Sequence, residues 1–186
     1  MFLPKLYRGL KRGPQVILPK DIGIIIAYTG LSKDSTCVDA GAGSGWLAIS
    51  LARIAKHVTT YEVRPEFAKI AQYNVNKLGL SNIDIVIKDV KKGIKEKDVD
   101  LITLDMPDSD KVVRHAFNAL KADGYLFAYL PHMEQVKKFV KKLEEYKFHD
   151  IYILEVIARD ILVREAGIRP STKGIWHTAY LAFAQK

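Results

Sequence analysis

The sequence predicts an α/β fold: a seven-stranded, mostly parallel sheet with an antiparallel last strand and helices on both faces. Two patterns support this prediction. Short apolar stretches alternate with amphipathic helical stretches up to Tyr146, which is typical of parallel strands joined by right-handed helical crossovers. No helical pattern separates the last two apolar stretches, so they are expected to form an antiparallel hairpin at the sheet edge.

The individual elements follow in order along the chain. Strands are predicted at residues 36–40, 58–62, 83–87, 99–104, 125–130, 151–158 and 175–183. Helices are predicted at residues 22–29, 46–55, 65–78, 110–120 and 133–146. Asp21 is placed to cap the first helix, Gly30 to end it, and Pro65 suits a first helical turn. The polar stretch 159–174 is expected to be a long loop, and such loops are usually functional.

Length and composition indicate one globular domain. The chain has 186 residues, of which 48% are hydrophobic and 27% charged. Residues 1–12 are expected to form a short basic arm, and residues 13–186 a single domain. Because Cys37 is the only cysteine, no internal disulfide and no cysteine-based metal site can form, and no metal site of another kind is predicted. No signal peptide or membrane-spanning stretch is visible, which favours the cytoplasm.

The formal net charge of +8 allows two interpretations. It favours a polyanionic partner, RNA or DNA, because phosphates attract a basic protein. A lysine-rich solvated surface, of the kind found in thermophilic proteins, explains the charge equally well. The charge alone does not choose between these two interpretations.

The turn after the first strand carries the strongest local signal. The sequence T-C-V-D-A-G-A-G-S-G starts at Thr36 and places Gly41, Gly43, Ser44 and Gly45 in a turn between a strand and a helix. Glycine tolerates positive φ and has no Cβ, so the backbone can turn tightly and approach a ligand closely. The helix that follows directs free N–H groups and the positive end of its dipole at the turn. This arrangement suits a nucleotide-like ligand.

An acidic residue stands at the carboxyl end of each of the first four strands: Asp39, Glu62, Asp89 and Asp105. In open α/β sheets ligands bind beyond these ends, so the four side chains are expected to surround one site. Glu62 suits the ribose hydroxyls of a nucleoside, and Asp89, which follows Lys88, suits the exocyclic amine of a purine. Local alternatives exist, in which Glu62 is a helix-start charge and Asp89 caps a turn.

The candidate ligands are a dinucleotide and S-adenosylmethionine. The turn reads G-A-G-S-G rather than G-x-G-x-x-G, so the third glycine, which packs the helix in a dinucleotide site, is absent. The antiparallel last strand also argues against a hydride-transfer enzyme. The acids at the successive strand ends favour S-adenosylmethionine.

Nearly the whole chain resembles a known enzyme family. The motifs V-D-A-G-A-G-S-G, Y-E-V-R and K-D-V are similar to those of the Rossmann-like class I S-adenosylmethionine-dependent methyltransferases. G-P-Q-V-I-L-P-K-D, L-D-M-P-D, F-A-Y-L-P-H-M-E-Q-V and R-P-S-T-K-G-I-W-H-T-A-Y-L are similar to the TrmI-type tRNA (adenine-58) 1-methyltransferases. The resemblance extends from Gly13 to the C-terminus. It implies that S-adenosylmethionine is the cofactor and S-adenosylhomocysteine the product.

The resemblance, together with the strand-end pattern, assigns roles to individual residues. The expected catalytic residues are Asp105, which matches an aspartate that faces cofactor and target base, and Tyr129, which matches an aromatic near the base. The residues expected at the cofactor are Gln15, Asp39, Gly41, Gly43, Ser44, Gly45, Glu62, Lys88, Asp89 and Asp105. Those expected at the substrate are Met106, Pro107, Arg164, Arg169, Lys173, His177 and Thr178. Lys20 and Asp21 match a segment that closes over the cofactor.

These residues suit methylation at N1 of adenine. The in-plane lone pair of N1 can attack the methyl group of the sulfonium, which places positive charge on the base. The Asp105 carboxylate can accept a hydrogen bond from the exocyclic amine, stabilise that charge and then take the proton. Tyr129 offers a face on which an unstacked base can rest, and cations of the 159–174 loop can hold phosphates. The alternatives are a core aromatic for Tyr129 and a hydrogen-bonded core histidine for His177.

The chain departs from the family pattern in three places. The small N-terminal β domain typical of the family is expected to be missing, since about a dozen residues precede Gly13. No tryptophan follows Pro107, and Leu18 stands where some members place a tyrosine beside the base. These departures concern the RNA substrate more than the cofactor.

The sequence therefore favours a methyltransferase that acts on RNA, with N1 of a tRNA adenine as the predicted target. The resemblance also implies a homo-oligomer, a tetramer or a dimer, formed through sheet edges and helices. Two alternatives remain. A small-molecule methyltransferase of the corrin-precursor type has a similar size and fold. A non-catalytic RNA-binding subunit of a methyltransferase complex would keep the fold, although the intact acids argue against it.

Overall fold

The computed structural model describes residues 3–13 and 15–186, so the first two residues of the predicted arm and Pro14 lie outside the described residues. The helices are α1 (Pro19–Thr29), α2 (Trp46–Ala52), α3 (Pro65–Lys77), α4 (Val113–Ala119) and α5 (Met133–Glu145). The strands are β1 (Thr36–Ala40), β2 (His57–Glu62), β3 (Ile83–Ile87), β4 (Val99–Leu104), β5 (Leu120–Leu130), β6 (His149–Glu155), β7 (Ile161–Arg164), β8 (Gly167–Pro170) and β9 (Tyr180–Gln185).

Seven of these strands form one sheet in the order β3-β2-β1-β4-β5-β9-β6. Strands β1 to β5 pair in parallel with their neighbours. Strand β9 is antiparallel to both β5 and β6, so it alone runs against the rest. The predicted sheet with an antiparallel last strand is thereby confirmed. The strand order reverses between β1 and β4, which is the usual ligand position in sheets of this kind.

Each face of the sheet has its own helices and its own core. Helices α1, α2 and α3 pack on one face, around Ile25, Ile49 and Phe127. Helices α4 and α5 pack on the other, around Val113 and Phe139. Burying one such side chain stabilises a fold by about 1.5–3 kcal/mol, so the sheet is held firmly from both sides. Within the described ranges, every helix falls short of the length or apolar character that a membrane span requires.

Part of the predicted N-terminal arm packs into the domain. Tyr7 is 5% exposed, and its ring stacks on that of Trp46 with centroids 4.6 Å apart. Its hydroxyl is 2.7 Å from Ser50 Oγ, which ties the arm to α2. The arm therefore contributes to the core on the α1–α3 face.

Two predicted helix boundaries differ from the structure for identifiable reasons. Helix α2 ends at Ala52 instead of residue 55, because the Asn82 amide donates to the carbonyl oxygens of Ala52 and Ala55 at 2.7 and 3.0 Å. The predicted helix at 110–120 starts as a 3-10 turn, Ser109–Val112, which follows Asp108 at a φ of 60°. In both places a loop residue decides where the helix begins or ends.

The prediction that Asp21 caps α1 is wrong. The helix begins at Pro19, and Leu18 before it makes no side-chain cap bond. Asp21 lies inside the first helical turn and has no exposed surface. Its carboxylate accepts hydrogen bonds from other elements of the fold, which places it in the site described below.

The stretch 159–174, predicted to be a loop, contains a β-hairpin. Strands β7 and β8 pair antiparallel as a separate two-stranded sheet. Arg159 Nε donates to the Ser171 carbonyl oxygen at 3.2 Å and closes the base of this hairpin. The last strand of the main sheet begins at Tyr180 rather than residue 175, because His177 and Thr178 bond to other elements instead of continuing the strand.

Candidate active site

A cleft of about 770 Å³ opens beyond the carboxyl ends of the parallel strands. It lies at the reversal of strand order between β1 and β4. Both predicted catalytic residues and most of the predicted cofactor residues line it. The lining residues are Gln15, Gly41, Gly43, Tyr61, Glu62, Val63, Arg64, Lys88, Asp89, Val90, Lys91, Asp105, Met106, Pro107, Tyr129, Pro131 and Gln135.

The glycine turn is required by the neighbouring backbone. Gly41 has a φ of +93°, and a Cβ there would stand 2.0 Å from the carbonyl oxygen of Asp105. The Asp105 amide donates to the Ala40 carbonyl oxygen at 2.8 Å, so the ends of β1 and β4 are held together. Gly43 and Gly45 also have positive φ values, +53° and +79°. A side chain at position 41 would therefore push the end of β4 out of place.

Ser44 and Gly45 complete the turn without lining the cleft. Among the described residues, Ser44 Oγ is the buried side-chain polar atom that has no hydrogen-bond partner. Buried polar groups are normally paired, so this hydroxyl is the exception at the turn, although it has no surface in the cleft. A Cβ at Gly45 would lie 3.2 Å from that of Ala71, so this glycine lets α3 approach the turn closely.

Glu62 holds the glycine turn from the end of β2. The residue is 3% exposed, and its Oε2 accepts from the Gly43 amide at 2.8 Å. Its Oε1 accepts from the Arg64 amide at 3.0 Å, next to the start of α3. Because the same carboxylate lines the cleft, one acid both orders the turn and faces the ligand space.

Asp39 lies beneath the turn and is not among the residues that line the cleft. It is buried, and its two carboxylate oxygens accept from Thr60 Oγ1 at 2.6 Å and Thr103 Oγ1 at 2.7 Å. These threonines belong to β2 and β4, the two neighbours of β1. Burial raises the pKa of Asp39, while the two hydroxyl donors act in the opposite direction. Asp39 therefore links the three strands that carry the turn.

Asp105 forms part of the cleft wall at the end of β4, followed by Met106 and Pro107. Burial raises the pKa of Asp105 to about 7, and the nearby carboxylates of Asp39 and Glu62 contribute to the same shift. A carboxyl group with a pKa near neutrality can take up and release a proton at physiological pH. This property suits a general base.

Asp89 lines the cleft and also caps a turn. Its Oδ1 accepts from the Lys91 amide at 3.0 Å, at the start of the 3-10 turn Val90–Lys92. The turn-cap alternative is therefore observed, and Oδ2 makes no hydrogen bond within the described part of the chain. Lys88 Nζ donates to the Gly93 carbonyl oxygen at 3.1 Å and steadies the far end of the same turn.

A hydrogen-bond network lies beside Tyr129. Asp21 accepts from Lys20 Nζ at 2.7 Å, Thr178 Oγ1 at 3.1 Å and the Tyr129 hydroxyl at 3.4 Å. Lys20 Nζ also donates to Thr178 Oγ1 at 2.9 Å and to the Val156 carbonyl oxygen at 2.7 Å. Burial raises the pKa of Tyr129, so the phenol stays protonated and donates. The network joins α1, β5 and the segment before β9.

His177 supports the cleft from outside its lining. Its Nδ1 lies 2.5 Å from Glu155 Oε1, and its Nε2 lies 2.9 Å from the Pro131 carbonyl oxygen. The bond to Glu155 raises the pKa of His177, which favours the doubly protonated ring that can donate to both oxygens. His177 is exposed, so the alternative of a core histidine is wrong, although the ring is hydrogen-bonded. Since Pro131 lines the cleft, His177 fixes that wall.

The predicted phosphate-binding cations do not line the cleft. Arg164 and Arg169 lie on the β7–β8 hairpin, Lys173 follows it, and all three are exposed. Several lining residues were in turn not anticipated from the sequence: Tyr61, Val63, Arg64, Val90, Lys91, Pro131 and Gln135. The sequence feature that could have identified them is their position, because each lies within a few residues of a strand end.

Comparison with known proteins adds independent findings. The family model of the tRNA methyltransferase complex GCD14 subunit matches residues 4–175. The tRNA (adenine(57)-N(1)/adenine(58)-N(1))-methyltransferase TrmI of Methanocaldococcus jannaschii is 41% identical over 210 residues, which cover 97% of this chain and 74% of that protein. Both findings agree with the family that the sequence motifs resemble.

Solved structures give the same result for the fold. The tRNA (m1A58) methyltransferase TrmI from Aquifex aeolicus superposes with a TM-score of 0.91 at 28% identity, covering 98% of this chain and 76% of that chain. A SAM-dependent O-methyltransferase from Thermotoga maritima superposes with a TM-score of 0.92 at 35% identity, covering 98% and 71%. The predicted Rossmann-like methyltransferase fold is confirmed.

Proposed function

Because the chain belongs to the tRNA methyltransferase complex GCD14 subunit family, we propose that it transfers the methyl group of S-adenosylmethionine to N1 of an adenine in tRNA. One observation carries this proposal beyond family membership. Asp105, whose pKa is about 7, contacts the glycine turn at Gly41 and lines the same cleft as Tyr129. Asp105 thus touches the nucleotide-binding turn through its main-chain carbonyl and lies in the cleft that the Tyr129 ring also lines.

The residues around the turn fit S-adenosylmethionine. The Glu62 carboxylate, already in the cleft, can accept from the two ribose hydroxyls. Asp89 Oδ2 makes no hydrogen bond among the described residues and is open to the exocyclic amine of the cofactor's adenine. The cleft volume of about 770 Å³ is also within the range of small-molecule sites. When bound, S-adenosylmethionine supplies an electrophilic methyl group on a sulfonium.

Asp105 is the proposed general base. Its carboxylate accepts a hydrogen bond from the exocyclic amine of the target adenine and so orients N1 toward the methyl group. As the N1–methyl bond forms and the sulfur–methyl bond breaks, positive charge develops on the base next to this carboxylate. Asp105 then takes a proton from the exocyclic amine, which leaves a neutral methylated base. The step requires ionised Asp105, which is available above about pH 7 in the free protein.

Tyr129 is the proposed surface for the target base. An adenine inside RNA is stacked on its neighbours and must leave the stack to reach a cleft. The Tyr129 ring offers it a new stacking partner, and the bond from its hydroxyl to Asp21 limits rotation of that ring. Lys20 and Thr178 hold Asp21 in turn, so three elements of the fold determine where the base rests.

The proposal also includes a cytoplasmic homo-oligomer in which residues 13–186 act as one catalytic domain. The support is an apolar surface on the β7–β8 hairpin, where Val163 is 76% exposed and Ile168 70% exposed. Contiguous exposed apolar side chains usually mark an interface with another chain. Sedimentation of the wild type and of Val163→Asp would test this part, because the variant should shift the population toward the monomer.

Methyl transfer to tRNA tests the central proposal. The purified protein is incubated with tritiated S-adenosylmethionine and bulk tRNA, and the product is digested to nucleosides. Label is expected in 1-methyladenosine. The variant Asp105→Asn should lower the initial rate about 10²- to 10⁴-fold, because it removes the base. As a matched control, Asp84→Asn should keep the wild-type rate, since Asp84 is an exposed residue of β3 that lies outside the cleft.

Two outcomes would contradict the proposal. One is a wild type that binds S-adenosylmethionine, seen as a rise in melting temperature, but labels no tRNA. The other is label confined to a nucleoside other than 1-methyladenosine, which would keep the RNA substrate and exclude the proposed target atom.

A further inference from the structure

We propose that a second groove, beside the cleft, binds the RNA phosphates that flank the target nucleotide; this inference rests on the proposed function. The groove has a volume of about 360 Å³ and lies between α4, with the turn before it, and α5. It is lined by Asp110, Lys111, Arg114, His115, Lys142 and Tyr146. We call it the basic groove.

The basic groove and the cleft share a wall. Lys91 lines the cleft, and its Nζ lies 3.8 Å from Asp108 Oδ2. Lys111 lines the basic groove, and its Nζ lies 3.1 Å from the same oxygen. His115 Nε2 lies 3.0 Å from the Lys91 carbonyl oxygen and fastens the wall from the groove side. An RNA strand that leaves the cleft over this wall reaches the basic groove directly.

The balanced charges of the cleft favour a phosphate site outside it. The carboxylates of Glu62, Asp89 and Asp105 line the cleft together with the cations Arg64, Lys88 and Lys91, so the cleft has no excess of positive charge with which to hold phosphates. The base itself is neutral before methylation and can enter. Its two flanking phosphates are better neutralised outside, where the basic groove offers an excess of cations.

The basic groove offers cations that are available for this purpose. Arg114 is exposed and forms no ion pair within the described part of the chain. Its guanidinium can bind a phosphate through two parallel hydrogen bonds, the geometry for which arginine is best suited. Lys142 pairs with the exposed Glu145, and surface pairs of this kind contribute little, so a phosphate can replace that partner. Lys111 adds a third cation at the shared wall.

Charge reversal tests this inference, with tRNA binding as the readout. Arg114→Glu and Lys111→Glu change the groove, while Lys33→Glu is the matched control. Lys33 is an exposed lysine paired with Asp34 at 3.3 Å, much as Lys111 pairs with Asp108, but it precedes β1 and so lies at the amino ends of the parallel strands, opposite the cleft. All three variants change the net charge by the same amount, so only position differs.

The expected result is specific to position. Each groove variant should weaken binding of fluorescently labelled tRNA about tenfold at constant salt, and reduce the slope of log Kd against log salt by about one. Lys33→Glu should stay within about twofold of the wild type. The rise in melting temperature with S-adenosylmethionine should be the same in all variants, because the cofactor side of the cleft is untouched.

Four results would contradict the groove or the proposed function. Equal weakening by Lys33→Glu and the groove variants would show a general charge effect and overturn the proposal, as would unchanged tRNA affinity in the groove variants. A wild type that binds tRNA through the groove but labels no adenine would overturn the proposed function and leave the groove intact. Normal methylation of tRNA by the wild type and by both groove variants would overturn the groove and leave the proposed function intact.

Discussion

The two halves of the cleft are held in place by different means. In the glycine half, at the ends of β1, β2 and β4, backbone geometry decides: Gly41 admits no side chain, and Glu62 accepts from the Gly43 amide. In the tyrosine half, beside β5 and β9, side chains hold one another: Tyr129 bonds to Asp21, and His177 to Glu155. The shape of the glycine half is therefore set by the backbone, and the shape of the tyrosine half by side chains that other residues could replace.

This difference has a functional meaning under the proposed activity. The glycine half would bind the cofactor, whose structure is the same for every methyltransferase of this kind. The tyrosine half would bind the target base, which differs between enzymes. A fixed backbone suits the constant ligand, and an exchangeable network suits the variable one. Substitutions in the glycine half should therefore abolish cofactor binding, whereas those in the tyrosine half should impair transfer and spare the cofactor.

The largest effect is expected for Gly41→Ala. The added Cβ would meet the Asp105 carbonyl oxygen at 2.0 Å, which forces apart the ends of β1 and β4 and displaces the catalytic carboxylate. Calorimetric titration should detect no binding of S-adenosylmethionine, and methyl transfer should be lost. Gly79→Ala is the control, because Gly79 has a φ of +63° but nothing within 4 Å of its Cβ position. It should cost about 1–2 kcal/mol of stability and keep cofactor affinity. Normal binding by Gly41→Ala would refute the distinction between the halves.

A smaller and more selective effect is expected for Tyr129→Ala. Base–aromatic stacking contributes about 1–3 kcal/mol, so kcat/KM for tRNA should fall about 5- to 150-fold. Affinity for S-adenosylmethionine should stay within about twofold, because the glycine half is unchanged. Tyr129→Phe keeps the ring and loses only the hydroxyl, with its 3.4 Å bond to Asp21 and its hydrogen bond with Thr178, so the fall in kcat/KM should be less than about fivefold. If the two variants were equally impaired, the hydroxyl rather than the ring face would be the important group.

The smallest effect is expected for His177→Gln, and it depends on pH. The contact with Glu155 raises the pKa of His177 above 6.5, so the folded protein holds this proton more tightly than the unfolded chain. The resulting stability is fully present below pH 6.5 and is lost as pH rises through the folded-state pKa. The variant should therefore melt about 1–2 °C below the wild type near pH 6 and closer to it near pH 9. A difference that grew with pH would contradict this sign.

The glycine half was predictable because its signals are local. A strand, a glycine turn and an acid at the strand end can be read from one short stretch, and β1, β3 and β4 have the predicted bounds. The positions of Glu62, Asp89 and Asp105 follow from the rule that ligands bind at carboxyl ends. The turn-cap alternative for Asp89 was equally local, and the structure shows that the same side chain caps the turn and lines the cleft.

The tyrosine half was less predictable because its contacts join distant residues. Asp21 looked like a helix cap, since Asp before an apolar stretch usually is one. Its actual partners, Tyr129 and Thr178, are more than a hundred residues away in sequence. The β7–β8 hairpin was missed for a different reason. It is largely exposed, so its sequence lacks the alternation that a core imposes on a strand.

The pH dependence of methyl transfer tests the central claim most directly. The claim is that ionised Asp105 receives a proton from the target adenine. Burial and two nearby carboxylates raise the pKa of Asp105 to about 7. In the wild type, log kcat/KM for transfer from tritiated S-adenosylmethionine to tRNA should therefore rise with a slope of about one below that pH and level off above it. Asp105→Asn should be slow and independent of pH over the same range. A wild-type profile that is flat through neutrality, or an Asp105→Asn profile that keeps the same rise, would contradict the account.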